Sequence, residues 1–154
     1  MTWTPHATVA TIVEQNGRYL LVEEVVDGNV VLNQPAGHIE AGESISAAAL
    51  RETLEETGWK VELKALVGIY HYPAPNGVTY FRFSFAATAI EQLPAAELDA
   101  GIIGPVWLTL EELSARKSQW RSPMVKRCIE DFAAGKRFPL DMVYEYPNEF
   151  STIE

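Results

Sequence analysis

Two β-branched runs flank Asn16-Gly17, and that arrangement commits the start of the chain to a sheet. Residues 7–14 (Ala-Thr-Val-Ala-Thr-Ile-Val-Glu) and 18–26 both read as strands. An Asn-Gly pair adopts the positive φ angles of a two-residue hairpin, so the runs fold back on each other. Asp27-Gly28-Asn29 marks a second turn, before a short strand over 30–32. Further strands are expected over 60–72 and 78–89, separated by Pro73-Ala74-Pro75-Asn76-Gly77, and over 106–108. Within 78–89, Phe81, Phe83 and Phe85 share one face, with Tyr80, Arg82 and Ser84 on the other.

Three helices complete the pattern. Residues 44–57 have a capping Ser44, a helix-favouring Ala47-Ala48-Ala49-Leu50 run and Gly58 at the C-terminal cap. Leu50, Leu54 and Thr57 are expected to form its buried stripe. Thr109-Leu110-Glu111-Glu112 has the capping-box form, and Ser122-Pro123 opens a helix that ends at Gly135. The tail from about 136 has no clear period. This order predicts an α/β protein of the mixed (α+β) kind, with helices packed on one mixed sheet. The 154 residues fit a single domain, 1–154.

Composition narrows the function classes. At 47% hydrophobic and 21% charged, the chain has enough apolar surface to order itself. No uncharged apolar run approaches the roughly 20 residues of a membrane-spanning helix, and the first residues do not resemble a signal peptide. Cys128 stands alone, which excludes a disulfide framework and fits a small core residue. The cytoplasm is the expected compartment, and a monomer is the favoured state. A net charge of −9 argues against a nucleic-acid polymer as partner, because phosphate binding normally leaves a basic footprint. A polyanionic small molecule would need a cation to mediate.

The acids of residues 44–57 suggest where that cation sits. Glu52, Glu55 and Glu56 are related by i, i+3 and i+4, so one side of the helix carries all three carboxylates. Two unit charges about 5 Å apart repel by roughly 3 kcal/mol at an effective dielectric near 20. The macrodipole also disfavours acids in the C-terminal half of a helix. A hard dication, Mg²⁺ or Mn²⁺, would relieve the repulsion with all-oxygen ligands. A solvated acidic helix face is the plain alternative, with Arg51 pairing Glu55. Upstream, Pro35, Gly37 and Gly42 bend the loop from Gln34 to Gly42 so that its backbone can approach a ligand. A metal, a bent loop and a spare carboxylate are sufficient parts for phosphoanhydride hydrolysis.

Residues 37–59 resemble the Nudix box, G-x5-E-x7-R-E-U-x-E-E-x-G-U, with U a bulky aliphatic residue. Gly37, Glu43, Arg51, Glu52, Glu55, Glu56 and Gly58 all match, whereas Thr53 and Trp59 depart from the aliphatic preference. Outside the box, Asn33-Gln34-Pro35-Ala36-Gly37-His38, Arg121-Ser122-Pro123 and Arg137-Phe138-Pro139-Leu140 are similar to the NudJ-type phosphatases of bacteria. The resemblance runs from about His6 to Met142. It implies an α/β/α sandwich around a mixed, largely antiparallel sheet. The activity it implies is Mg²⁺-dependent pyrophosphohydrolysis, with Mn²⁺ as substitute. The implied substrates are nucleoside di- and triphosphates, thiamine pyrophosphate and hydroxymethylpyrimidine pyrophosphate. The alternatives are an ADP-ribose or dinucleotide pyrophosphatase, and a non-catalytic nucleotide-sensing module.

By position, the resemblance makes Glu52, Glu55 and Glu56 metal ligands, joined by the backbone carbonyl of Ala36 or Gly37. Glu43 and Arg51 would pair to hold the loop against the helix, and Gly58 would end it. For the general base, Glu55 and Glu56 stand beside two loop acids, Glu97 and Asp99. Candidate substrate contacts are Asn33, Gln34 and His38 around the loop, Tyr72 (with Tyr70 and His71) for stacking on a base, and Arg82 for a terminal phosphate. The structural alternatives are solvated loop acids, a core aromatic run and an ion pair of Arg82 on the sheet face.

Overall fold

The computed structural model describes residues 2–93 and 97–147. The strands are β1 (His6–Gln15), β2 (Arg18–Val26), β3 (Asn29–Asn33), β4 (Ala36–His38), β5 (Trp59–Pro73), β6 (Thr79–Gln92) and β7 (Ile102–Leu108). The helices are α1 (Ile45–Thr57), α2 (Leu110–Ala115) and α3 (Met124–Ala133). One seven-stranded sheet runs β3-β2-β1-β6-β5, with β4 added to β1 and β7 to β2. β1 and β6 pair in parallel and every other pairing is antiparallel. The expected mixed, largely antiparallel sheet is therefore the observed one. Asn16 and Gly17 take positive φ angles (53° and 77°), as the hairpin requires.

Alternation along β1 sorts the core into two layers. Val9 packs with Ala48, Ala49, Leu66 and Phe85 beneath α1. Ile12 joins Leu21, Val67, Val125, Cys128 and Ile129 beneath α2 and α3. Cys128 is a fully buried core thiol. Among the described residues, no helix is long and apolar enough to cross a membrane.

Three expectations need correction. The buried face of α1 is Ala48, Ala49, Thr53 and Thr57, whereas Leu50 is exposed and Leu54 only half-buried. Small side chains let the helix sit close to Val9 and Phe85, and this turns its leucines aside. The Gln34–Gly42 loop contains β4, in register with β1 through Thr8 and His38, Val9 and Gly37, and Ala10 and Ala36. β7 begins at Ile102 rather than 106. The tail is tied down as well. Leu66 and Phe138 exchange backbone hydrogen bonds of 2.8 and 2.7 Å. The Glu145 carboxylate accepts from Ser46 N (2.9 Å) and Oγ (2.7 Å) at the start of α1.

Candidate active site

Helix α1 is fixed at both ends by its own sequence. The Ser44 hydroxyl accepts from Ala47 N at 3.1 Å, and Gly58 closes the helix at φ 75°. Its buried side is a ladder of satisfied hydroxyls. Thr53 Oγ1 lies 2.8 Å from Thr11 Oγ1 and donates to Ala49 O at 2.7 Å. Thr57 Oγ1 donates to Thr53 O at 2.6 Å and accepts from Trp59 N at 3.0 Å. Thr53 thus replaces the aliphatic residue of the box with a hydroxyl that has partners on both sides. With that face against the sheet, Glu52, Glu55 and Glu56 turn towards the Gly37 loop.

Arg51 organises two of the three acids. It donates to both Glu43 oxygens (Nε 2.6 Å, Nη2 2.9 Å), to Glu52 (2.8 Å), to Glu55 (3.1 Å) and to the His38 carbonyl (3.1 Å). The Glu43 hydrogen bond, chiefly, holds Arg51 protonated above its usual range, and Arg51 pulls Glu43 below the usual carboxylate range. Burial pushes Glu52 up, against the pull of Arg51. Gly37 lies so close to Glu52 that a methyl group there would overlap the carboxylate. Among the described residues, no three His, Cys, Asp or Glu side chains converge as a metal cage, and Arg51 bonds both Glu52 and Glu55.

Glu56 stands apart from that network. Its carboxylate accepts from Ala36 N at 2.7 Å and lines a cleft of about 460 Å³. Burial is the main cause that pushes Glu56 up to about 8. The Ala36 N–H opposes it, while the charges of Glu52, Glu24 and Asp99 add to it. Of the sequence candidates, Asn33, Ala36, Gly37, His38, Tyr72 and Arg82 also line this cleft. Gln34 does not. It is 1% exposed, accepts from Arg82 at 3.0 Å and donates to the Val125 carbonyl. Its place is behind the wall, so direct substrate contact is not its role.

The remaining candidates divide clearly. Glu97 and Asp99 are both exposed before β7, and the charge of Asp99 acts electrostatically on Glu52 and Glu56. Tyr70 shares a face of β5 with Tyr72 but donates to Asp131 of α3 at 2.7 Å and does not line the cleft, and His71 packs on Phe81. Arg82 has no ion pair among the described residues, contrary to the sheet-face alternative. Sequence reasoning missed Thr8, Glu24, Tyr80 and Arg121 in the cleft. Arg121 was visible only as part of a similar tripeptide, and Glu24 pairs with it at 3.0 Å. A second hollow, of about 550 Å³, lies between the start of α1 and residues 140–145 and carries none of the candidate residues.

Comparison with known proteins identifies the family and the fold. The NUDIX domain profile matches residues 3–128. Phosphatase NudJ of Escherichia coli (strain K12) is 37% identical over 142 residues, covering 92% of each chain. Phosphatase NudJ of Shigella boydii matches to the same extent. A NUDIX hydrolase structure from Nitrosomonas europaea is 46% identical, with a TM-score of 0.91 over 95% of this chain and 99% of that one. A UDP-X diphosphatase structure, 18% identical over 90% of this chain and 67% of that one, shares the fold at a TM-score of 0.72.

Proposed function

Because the chain belongs to the Nudix hydrolases and acts on phosphoanhydride bonds, we propose that it is a Mg²⁺-dependent pyrophosphohydrolase of small phosphorylated metabolites. The substrate class is nucleoside di- and triphosphates, or organic pyrophosphates such as thiamine pyrophosphate and hydroxymethylpyrimidine pyrophosphate. The observation that carries this reading is a single juxtaposition. A half-buried carboxylate, Glu56, lies at the wall of a cleft that also presents amides, aromatic rings, two arginines and the arginine-paired Glu24. The cleft is in the size range of small-molecule sites. The likeness to phosphatase NudJ over nearly the whole chain supports the same class.

The donor set fits a hard dication. Glu52, Glu55 and Glu56 would hold it, with the Ala36 or Gly37 carbonyl. The bare Gly37 backbone beside Glu52, and an all-oxygen ligand set, suit Mg²⁺ or Mn²⁺. A dication held by these groups would offset the negative charge of the diphosphate and polarise its P–O bonds.

The chain's own groups do the rest. Arg51, anchored by Glu43, keeps Glu52 and Glu55 from splaying and ties them to the His38 carbonyl. Hydrolysis adds water at phosphorus and breaks the bridging P–O bond, so a base must take one proton from the water. Asp99 is the favoured base of the two loop acids, because its charge reaches Glu52 and Glu56. Tyr72 and Tyr80, together with His38, give the organic part of the substrate flat surfaces to stack on.

The test is product release over a panel of nucleoside phosphates, dinucleotides and thiamine-related pyrophosphates. Orthophosphate or pyrophosphate release is expected with Mg²⁺ or Mn²⁺ and none in EDTA. Binding without turnover in every metal condition would leave only a sensing module.

A further inference from the structure

Arg82 is a buried cation without a counter-ion. It is 5% exposed, on the face of β6 that pairs with Thr8 of β1. Its Nη1 donates to the Gln34 amide oxygen at 3.0 Å, and Nη2 to that of Asn33 at 3.2 Å. Its Nε–H has no hydrogen-bond partner. Cys128, its neighbour towards the core, is a thiol that burial keeps neutral. Glu56 acts on it through space, without an ion pair. A buried guanidinium whose hydrogen-bond partners are neutral amides, with its nearest carboxylate acting only at a distance, is costly to bury, and a folded chain gains little from it alone. An anionic ligand in the adjoining cleft would supply the missing charge.

The cleft has both closed and open walls. Around Arg82 its walls are the buried Thr8 (7% exposed) and Met124 (8%). The lining residues His38 (paired with Thr8), Pro75, Asn76 and Arg121 are exposed. The nearly solvent-free walls at Arg82 leave room for the terminus of a ligand rather than for a group substituted on both sides. A free terminal phosphoryl group offers nearly two negative charges at neutral pH and three acceptor oxygens. A phosphate esterified on both sides offers one charge and needs an exit for its second substituent.

We propose that Arg82 receives the free terminal phosphoryl group of the substrate, and thereby selects pyrophosphate monoesters over pyrophosphates esterified at both ends. The proposal rests on the phosphoanhydride substrate class stated above. Asn33 and Gln34 act as positioning residues, because they fix two of the guanidinium nitrogens and leave its charge uncompensated.

Two non-hydrolysable probes differ only in the terminal group: α,β-methylene-ADP and α,β-methylene-ADP-ribose. Their binding is measured with Mg²⁺ by calorimetry, for the wild type, Arg82→Gln and Arg82→Lys, with melting curves as the check on folding. The wild type is expected to bind the uncapped probe at least about 10-fold more tightly. Arg82→Gln is expected to weaken that probe by about 30- to 100-fold, in line with a hydrogen-bonded charge, and the capped probe by less than about threefold. Arg82→Lys should recover part of the loss. Equal loss for both probes would reduce Arg82 to a structural role and overturn the proposal. Equal wild-type affinity for the two probes, or no binding of either, would overturn it even if the variants do not fold. Uncapped binding that depends on Arg82, with no phosphate released from ADP, would leave the proposal standing and overturn the hydrolysis reading instead.

Discussion

Gly37 and Glu52 occupy space that a single methyl group would contest. A Cβ on Gly37 would overlap the Glu52 carboxylate, and the obstructing atoms are the far end of a flexible side chain. Gly37→Ala therefore has a cheap escape: the carboxylate swings away and the backbone stays. Stability should fall by less than about 1 kcal/mol, since the damage is a shifted rotamer rather than a strained strand. Turnover with Mg²⁺ should fall by about 100-fold or more, because the displaced group is a proposed ligand. Thermal melting and steady-state rates on the same preparation check both halves. A large stability loss with normal turnover would contradict the relationship.

Glu56 makes metal-free stability depend on pH with a definite sign. Folding raises its carboxyl from the ordinary 4.5 to about 8, through burial first, partly offset by Ala36 N–H and reinforced by Glu52, Glu24 and Asp99. Between those values the folded chain holds a proton that the unfolded chain has released. The associated stability is complete below about pH 4.5 and is lost as pH rises through about 8. In EDTA, Glu56→Gln should then melt close to the wild type at about pH 4.5, rise above it as pH passes 6, and stand at least on the order of 5 °C above it at pH 9. With Mg²⁺ the advantage should shrink or reverse. Glu52→Gln and Glu56→Gln should each lower kcat by orders of magnitude with the fold intact.

Helix α1 was legible because its signals are local. Ser44 and Gly58 cap it in sequence, and the i, i+3, i+4 acids share a side whatever the helix packs against. Its rotation about its own axis was not legible. Leu50 and Leu54 outrank Ala48 and Ala49 in hydrophobicity, yet the alanines are buried because they permit close approach to Val9 and Phe85. Arg82 was hidden for a different reason. Its lack of an ion-pair partner follows from the register of β6 with β1 and from α3 covering that face, and these elements lie more than 30 residues apart. Gln34 looked like a loop contact only because β4 and the side chain's bond to Val125 O are long-range features.

The Thr11–Thr53 contact should behave as a coupled pair. Both residues are fully buried, and their hydroxyls lie 2.8 Å apart. Replacing one by valine leaves the other with a poorer partner, at an expected cost of about 1–2 kcal/mol. Replacing both removes the polar groups together while preserving shape. The double variant Thr11→Val/Thr53→Val should lose less stability than the sum of the two singles, by at least about 0.5 kcal/mol. Urea unfolding of the four proteins measures the coupling, and strict additivity would show that the hydroxyls act independently.

Asp99 and Glu97 offer a direct comparison of two loop acids of like charge, only two positions apart. Both are solvent-exposed, so neither substitution should move the melting midpoint by more than about 0.5 kcal/mol equivalent. The charge of Asp99 acts on Glu52 and Glu56, which places it near the carboxylates of α1. If it takes the proton from the attacking water, Asp99→Asn should lower kcat by about 10²- to 10⁴-fold, with KM and metal affinity little changed. Glu97→Gln should stay within about threefold of the wild type. A rate loss confined to Glu97→Gln would reassign the base. Weaker Mg²⁺ binding in Asp99→Asn, measured by calorimetry, would instead make Asp99 part of the cation's electrostatic surroundings.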